Sequence, residues 1–127
     1  MWLSIDEKDN RPLYLQIINQ VKDQVRRGTL KPGDELPSVR ELADSLGINM
    51  HTVRSAYLRL RDQGIINLRL GRRARIAQMR QVQTADVEAD LRVRLEELIT
   101  DALLKGLSPD DFRSMVNQHL EQMRKEE

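Results

Sequence analysis

Arginine is the residue type that most clearly suggests a chemical role in this sequence of 127 residues. Eight arginines fall within residues 54–80, against a single acidic residue, Asp62. Guanidinium groups bind phosphate oxygens and the edge of guanine through paired N–H donors. A solvated basic surface would give the same composition, but such clustering is also typical of a surface that binds a nucleic-acid backbone.

The other side chains that could do chemistry form no catalytic or metal-binding pattern. The sequence has no cysteine and only two histidines, His51 and His119. His119 falls near the apolar side of the last predicted helix, where packing is favoured over ligation. Neither a glycine-rich phosphate loop nor a serine with a neighbouring base is recognisable. We therefore expect no enzymatic activity, no cofactor and no metal site.

Charge is distributed unevenly along the chain. Residues 1–80 contain 15 basic and 9 acidic side chains, a net charge of +6, whereas residues 81–127 contain 6 and 11, a net charge of −5. This asymmetry predicts a basic half that binds a partner and an acidic half with another role. We expect no signal peptide and no membrane span. The lack of cysteine fits a reducing compartment, and we expect a cytoplasmic protein.

The elements that would position the arginines begin with residues 38–63, which we interpret as two helices joined by a tight turn. Ser38 and Glu41 form a capping-box pattern, Gly47 suits the turn, and Asn49 can cap the second helix. An apolar stripe on that helix leaves other side chains facing outward: Met50, His51, Arg54 and Arg61. Such a pair occurs in many all-α domains, but the offsets are typical of a helix-turn-helix that reads DNA.

The flanking segments predict a winged helix-turn-helix. A first helix should begin at residues 10–12 and end at Gly28. Alternating Ile66, Leu68 and Leu70 predict a strand, residues 71–73 the turn, and residues 74–77 the return strand. Packed on three helices, this hairpin would be a wing whose basic tip approaches phosphates. Residues 2–5 are interpreted as either a short strand or an anchoring arm.

The last part of the chain predicts a helical hairpin. Residues 80–84 read as a linker, a helix pattern runs from Asp86 to Gly106, and residues 108–111 begin a second helix. The apolar faces of these helices exceed what the two can bury against each other. Folding back onto the winged domain is one explanation. We favour pairing with the same hairpin of a second chain, because a two-fold dimer would present two recognition helices to a pseudo-palindromic site.

The predicted fold is mainly α with a small β-hairpin. It consists of an N-terminal winged helix-turn-helix DNA-binding domain over residues 1–79 and a C-terminal two-helix dimerisation hairpin over residues 80–127. Double-stranded DNA and a second copy of the chain are the expected partners, and no membrane partner is expected.

The sequence resembles the GntR family of bacterial transcription regulators. Residues 28–43, Gly-Thr-Leu-Lys-Pro-Gly-Asp-Glu-Leu-Pro-Ser-Val-Arg-Glu-Leu-Ala, match the family signature, and residues 52–54 and 56–57 continue the match. The short two-helix tail, with Gly-Leu-Ser at residues 106–108, resembles the YtrA subfamily. The resemblance implies a dimeric repressor, often of neighbouring ABC transporter genes.

The resemblance also implies which residues contact DNA. Arg40 would reach a base or a phosphate, Arg54 would read guanine, Ser38 and Thr52 would bind phosphates, and Gly71 would form the wing tip. The full set of predicted contacts is Ser38, Arg40, Asn49, Met50, His51, Thr52, Arg54, Gly71, Arg72 and Arg73.

Two departures from the family pattern alter these expectations. Met50 replaces the usual arginine or proline, and a methionine can touch a thymine methyl group but cannot read guanine. Residues 73–76, Arg-Ala-Arg-Ile, replace the usual second glycine and aromatic residue of the wing. We therefore expect a wing that binds more by charge and is more sensitive to salt.

The sequence as a whole predicts a sequence-specific transcriptional regulator, a repressor that acts as a homodimer on a pseudo-palindromic operator. Two alternatives stay open. One is a winged-helix module that docks a protein, against which the outward arginines argue. The other is a sensor of a small molecule, although the tail is too short to enclose a typical pocket unless a dimer interface completes it. The sequence identifies no effector.

Overall fold

The computed structural model describes residues 3–79 and 84–126. The chain divides into two compact units, residues 1–79 and residues 80–127. In the described residues the first unit contains three helices and a two-stranded hairpin, and the second contains two helices. The prediction of a mainly α fold with a small β-hairpin is confirmed. Among the described residues, none of the helices combines the length and the hydrophobicity that a membrane span requires.

Three helices build the core of the first unit: α1 (Leu13–Arg27), α2 (Val39–Leu46) and α3 (Met50–Asp62). Both α1 and α2 pack against α3, which is therefore the central helix. The core consists of apolar side chains at helical spacing, which is the pattern that stabilises short helices by burial. Its helical members are Ile17, Ile18, Val21, Leu42, Ala43, Val53, Ala56, Tyr57 and Leu60.

The turn between α2 and α3 is built as the sequence predicts. The Ser38 hydroxyl accepts a hydrogen bond from the Glu41 N–H at 3.1 Å, and the Glu41 carboxylate accepts one from the Ser38 N–H at 3.4 Å. Gly47 adopts a left-handed φ of 68°, which a Cβ would strain. The Asn49 side chain caps α3 by accepting a hydrogen bond from the His51 N–H at 2.8 Å. These contacts fix where α3 begins.

The hairpin after α3 is a short wing with a well-anchored base. Strands β1 (Ile66–Asn67) and β2 (Arg75–Ile76) pair antiparallel, and Ile66 lies opposite Ile76 with both side chains buried. The segment before α2 adds to this base, because the Gly33 N–H donates to the Ile76 carbonyl at 2.8 Å. The Leu36 N–H likewise donates to the Ala74 carbonyl at 2.8 Å.

The prediction that the first wing strand continues through Leu70 is wrong. The strand ends at Asn67, Leu68 is half-buried, and the Leu70 side chain has a relative exposure of 105%. The physical reason is that the apolar core reaches only as far as Leu68. Beyond it the chain closes in a tight turn, with the Arg72 N–H donating to the Arg69 carbonyl at 3.1 Å. Leu70 therefore continues the alternating pattern in sequence, but its side chain has no apolar surface to pack against.

The segment before α1 lies along that helix as an arm, which is one of the two forms predicted for it; Trp2 lies outside the described residues. Leu3 is buried in the core. The Gln20 side-chain amide donates to the Ser4 carbonyl and accepts from the Ser4 N–H. Gln16 makes the same pair of hydrogen bonds with Asp6. Two glutamines one helical turn apart thus satisfy the backbone of the arm.

The second unit is a helical hairpin, which we call the tail: α4 (Thr84–Leu104) and α5 (Pro109–Glu126). The helix α4 begins two residues before the predicted Asp86, and residues 80–83 of the predicted linker lie outside the described residues. Gly106 separates the helices with a φ of 98°. The Ser108 hydroxyl caps α5 by accepting a hydrogen bond from the Asp111 N–H at 3.1 Å.

Candidate nucleic-acid interface

The outer face of α3 and the start of α2 form one concave surface, which we call the groove. Because Val53, Ala56 and Tyr57 point into the core, α3 presents its remaining side chains outward. The groove has a volume of about 620 Å³ and is open to solvent. It brings together five of the predicted contacts, together with residues that lead to the wing. Its lining is Ser38, Val39, Arg40, Met50, His51, Arg54, Tyr57, Leu58, Arg61, Leu68, Arg69 and Leu70.

The other predicted contacts are not among the residues that line this groove. Asn49 and Thr52 belong to the start of α3, where Asn49 serves as the cap and Thr52 is half-buried. The wing tip, residues 69–73, supplies the rest, with Gly71 at a φ of 74°. A smaller concavity of about 170 Å³ at the wing is lined by Asn67, Arg69, Arg72, Arg73 and Arg75.

Four arginines at this surface have guanidinium groups that are available to a ligand. In the described part of the chain, Arg40, Arg54, Arg69 and Arg72 are exposed and have no carboxylate partner. Two of them lie on the helix-turn-helix and two on the wing tip. An exposed guanidinium that is not already paired can donate two parallel hydrogen bonds to a phosphate or to a guanine edge.

Two other wing arginines are already occupied by carboxylates. Arg73 forms a bidentate pair with Glu41, with Nη2 to Oε1 at 2.5 Å and Nη1 to Oε2 at 2.7 Å. The pairing with Arg73 lowers the pKa of Glu41 and raises that of Arg73, so both groups are held in their charged forms. Arg75 pairs with Glu35 at 2.7 Å and also donates to the Gly33 carbonyl at 3.2 Å.

Tyr57 ties α3 to the start of α2 beneath the groove. Its ring is buried, and its hydroxyl donates a hydrogen bond to the Pro37 carbonyl at 2.7 Å. Burial raises the pKa of Tyr57, with a smaller contribution from the Glu41 carboxylate, so the hydroxyl stays protonated as a donor. The contact fixes the chain immediately before Ser38 and Arg40.

Sequence reasoning did not single out Arg69 or Leu70, which the structure places on the wing tip. Leu70 completes the alternation of apolar residues that predicts a strand. The available signal was the following Gly71, because glycine is a strong marker of turns. Among residues 3–79 and 84–126, no three His, Cys, Asp or Glu side chains are grouped to hold a metal ion.

A three-helix core, a helix with an outward basic face and a basic hairpin beside it define a winged helix-turn-helix, a class of domain that binds double-stranded DNA. The family model for bacterial regulatory proteins of the gntR family matches residues 13–76, from the start of α1 to the end of β2. The chain belongs to the GntR family of transcriptional regulators. The family predicted from the sequence is thus confirmed.

One curated relative shows that the likeness extends through the tail. The chain is 36% identical over 119 residues to the HTH-type transcriptional repressor YtrA of Bacillus subtilis (strain 168), covering 91% of this chain and 90% of that protein. The resemblance to YtrA-type members of the family is thus also confirmed.

Solved structures give the same relationship in three dimensions. A structure described as a transcriptional antiterminator from Listeria monocytogenes EGD-e has a TM-score of 0.82 and 30% identity, covering 94% of this chain and 90% of that one. YtrA from Sulfolobus acidocaldarius, a GntR-family transcription factor, has a TM-score of 0.64 and 38% identity, covering 82% and 99%. The DNA-binding domain of AraR in complex with operator ORE1 has a TM-score of 0.51 and 25% identity, covering 57% and 89%.

Proposed function

We propose that the chain represses transcription by binding, as a homodimer, to a pseudo-palindromic operator that overlaps a promoter. The observation that carries this proposal is the groove, which is lined by the outward face of the capped helix α3 and by Arg40 and Arg54, neither of which has a carboxylate partner. Repression is favoured because the Bacillus subtilis relative is named a repressor. Bound DNA would then be inaccessible to polymerase.

Within this proposal the residues of the helix-turn-helix divide into base and phosphate contacts. Arg54, one turn into α3, would donate two hydrogen bonds to a guanine edge in the major groove. Met50, at the first position of α3, would contact a thymine methyl group. Arg40 and the Ser38 hydroxyl lie at the start of α2, where they would bind the phosphate backbone and set the register of α3.

The wing tip would add contacts beside the recognition helix. Arg69 and Arg72 supply unpaired positive charge, which contributes affinity with little regard to sequence. Leu70 is a large apolar side chain held fully in solvent between them. We assign it to an apolar contact in the minor groove beside the recognition helix, because DNA-binding proteins insert leucine and other apolar side chains between base steps there.

The tail would supply the dimer interface. Its apolar side chains recur along one face of α4, and we call this set the stripe: Val87, Leu91, Leu95, Leu98 and Ala102. All but Ala102 are exposed, and α5 also exposes large apolar side chains: Met115, Val116, Leu120 and Met123. Exposed apolar patches of this kind are typical of protein interfaces.

The charges around the stripe favour a second copy of the same chain as the partner. Glu88, Glu97 and Asp101 border the stripe together with Arg92 and Arg94. A two-fold interface places the same patch on both subunits, so the patch must complement itself. A border with both signs of charge meets that requirement, whereas a border of one sign would repel its copy.

The decisive experiment is selection of bound duplexes from a random DNA pool by the full chain, followed by gel-shift titration of the enriched sequence. The proposal expects a two-fold symmetric consensus whose half-sites are separated by about one helical turn, or a multiple of it. Enrichment of an asymmetric single site would contradict the homodimer. Failure to enrich any sequence at moderate salt would contradict the DNA-binding function itself.

A further inference from the structure

We propose that Glu41 and Arg73 form a latch that holds the wing tip against the helix-turn-helix, so that Arg73 positions the wing and is not itself a phosphate contact. The inference rests on the proposed DNA-binding function. In this proposal Arg69 and Arg72, the two wing-tip arginines that have no carboxylate partner, are the ones that contact DNA.

The geometry of the Glu41–Arg73 pair is that of an oriented, bidentate ion pair and not that of a typical weak ion pair on a protein surface. The two terminal guanidinium nitrogens of Arg73 each donate to a different carboxylate oxygen of Glu41, at 2.5 and 2.7 Å. Most exposed ion pairs are weak, but bidentate arginine–carboxylate pairs are the exception because two parallel hydrogen bonds fix the orientation. The pair also joins residues 32 positions apart in sequence, one on the wing and one on α2.

The wing tip needs such a contact because backbone pairing ends before it. At the base of the wing, β1 and β2 pair with each other and the segment before α2 adds further backbone hydrogen bonds. Residues 69–73 are all exposed and have one turn hydrogen bond of their own, from the Arg72 N–H to the Arg69 carbonyl. A short exposed hairpin end is marginally ordered by itself. The Glu41–Arg73 pair therefore anchors the wing tip, which the backbone hydrogen bonds at the base of the wing do not reach.

The Glu41 carboxylate is itself held in place, which makes it a fixed anchor. It belongs to the capping box at the start of α2, where it accepts the Ser38 N–H. Ser38 is a proposed phosphate contact, and a bare carboxylate beside it would repel that phosphate. Arg73 neutralises this carboxylate. If Arg73 moved to a phosphate, the repulsion would return, so the latch is expected to stay closed on DNA.

A closed latch gives the interface a defined geometry. It fixes the wing tip, with Arg69, Leu70 and Arg72, relative to the start of α2. Because α2 and α3 are packed together, the wing and the recognition helix then meet the duplex in one register. Opening the latch would leave the positive charge in place but would loosen that register.

The test replaces both members of the pair by the double variant Glu41→Gln/Arg73→Gln. The net charge of the protein does not change, and glutamine at position 41 is compatible with a capping box. The matched control is Glu35→Gln/Arg75→Gln, a pair of similar exposure at the base of the wing. Side-chain exposures are 51% and 44% for Glu41 and Arg73, and 49% and 55% for Glu35 and Arg75.

The first measurement is amide hydrogen exchange in the full chain without DNA, followed at the Arg72 N–H, which donates the turn hydrogen bond of residues 69–73. The latch predicts exchange several-fold faster in the Glu41→Gln/Arg73→Gln variant and little change in the control variant, whose backbone hydrogen bonds remain. Equal exchange in the two variants and the native chain would overturn the latch. This measurement stands even if the native chain binds no DNA, in which case the proposed function fails separately.

The second measurement is the salt dependence of binding to the selected operator and to a scrambled duplex. Loss of positioning lowers the preference for the operator and leaves the slope of log affinity against log salt unchanged. A slope that becomes shallower by about 0.9 would identify Arg73 as a phosphate contact and would overturn the inference. An unchanged preference for the operator would overturn it as well.

Discussion

At the scale of single residues, what an arginine can bind depends on what it already contacts. Of the eight arginines in residues 54–80, four have occupied guanidinium groups: Arg59 lies 4.3 Å above the Tyr14 ring, and Arg61, Arg73 and Arg75 pair with carboxylates. Arg80 lies outside the described residues. Three remain available, and with Arg40 they define the proposed DNA surface: Arg54, Arg69 and Arg72.

The substitution Arg54→Ala should weaken binding to the selected operator by about 1–3 kcal/mol and relax base preference at one position of each half-site. The reason is the loss of two hydrogen bonds to a guanine edge. Arg54→Lys keeps the charge but loses the paired donors, so it should also blur the preference. Gel-shift titration on operator and scrambled duplexes measures both effects. Equal small losses on the two duplexes would contradict base readout by Arg54.

Leu70→Asn should weaken operator binding by about 1 kcal/mol, which is the scale expected when a partly buried leucine side chain loses its apolar contact. Thermal unfolding should not change, because the native side chain is fully in solvent. Leu70→Met keeps an apolar side chain of similar size and should bind nearly as the native chain does. Operator affinity that is identical in Leu70→Asn would remove Leu70 from the interface.

At the scale of elements, sequence reasoning succeeded where local chemistry decides the structure. The start of α2 follows from the Ser38 and Glu41 capping box, and the end of α1 follows from Gly28, which takes a left-handed conformation. The buried face of α3 follows from helical spacing. Each of these features depends on residues a few positions apart, so the sequence displays them directly.

The wing could not be predicted in the same detail because its limits depend on distant packing. Whether Leu70 is buried depends on how far the core of the three helices extends beneath the hairpin. The pairing of Arg73 with Glu41 joins residues 32 positions apart and has no local signal. Charge alone therefore predicted a basic wing correctly but gave no way to separate Arg72, which is unpaired, from Arg73.

The contribution of the wing to affinity should be insensitive to sequence. Arg72→Ala is expected to weaken binding to operator and scrambled duplexes by similar factors and to make the slope of log affinity against log salt shallower by about 0.9. The physical reason is that one fewer phosphate is neutralised and one fewer counterion released. Binding titrations at several salt concentrations check this. A loss confined to the operator would instead indicate base readout by the wing.

The contact between α3 and the start of α2 should contribute to stability. Tyr57→Phe keeps the buried ring but removes the donor to the Pro37 carbonyl, so the free energy of unfolding should fall by about 0.5–1.5 kcal/mol, measured by urea denaturation. Burial raises the pKa of Tyr57 above its ordinary value of 10.0. The unfolded chain therefore loses this proton first as pH rises.

Because the unfolded chain loses the Tyr57 proton before the folded chain does, a rise in pH lowers the stability of the folded chain. The contribution of the Tyr57 hydroxyl is complete below about pH 10 and is lost as the pH rises further. The native chain should therefore lose its stability advantage over Tyr57→Phe in alkaline solution. Other titrating groups are common to both proteins, so the difference between their unfolding curves isolates Tyr57. A stability difference that is constant up to pH 11 would contradict this account.

At the scale of the whole molecule, the two units differ in what they leave exposed. The first unit buries or half-buries most of its apolar side chains and presents positive charge, whereas the tail presents apolar side chains in an acidic setting. The sequence predicted both properties from charge and periodicity. Periodicity does not distinguish the two partners considered for the apolar face of the tail, because such a face packs equally well against its own chain or against another.

The stripe on α4 allows a matched test of the proposed homodimer. Leu98→Asp places a charge in the middle of the stripe and should convert the protein to a monomer in analytical ultracentrifugation. Val93→Asp is the control: Val93 and Leu98 have exposures of 57% and 55%, but Val93 lies about 140° around the helix from Leu98. The Val93→Asp protein should remain a dimer. Dimerisation that survives Leu98→Asp would place the interface elsewhere.

The same pair of variants connects assembly to DNA binding. In a dimer the second half-site is bound at a high effective concentration, so loss of the dimer should weaken binding to the complete operator by roughly 100-fold or more. Binding to a duplex with a single half-site should change little, because Arg54 and the groove are untouched. That combination separates a lost interface from a misfolded protein, which would lose both activities. If Leu98→Asp is monomeric yet binds the complete operator as tightly as Val93→Asp does, the operator is read by one subunit at a time.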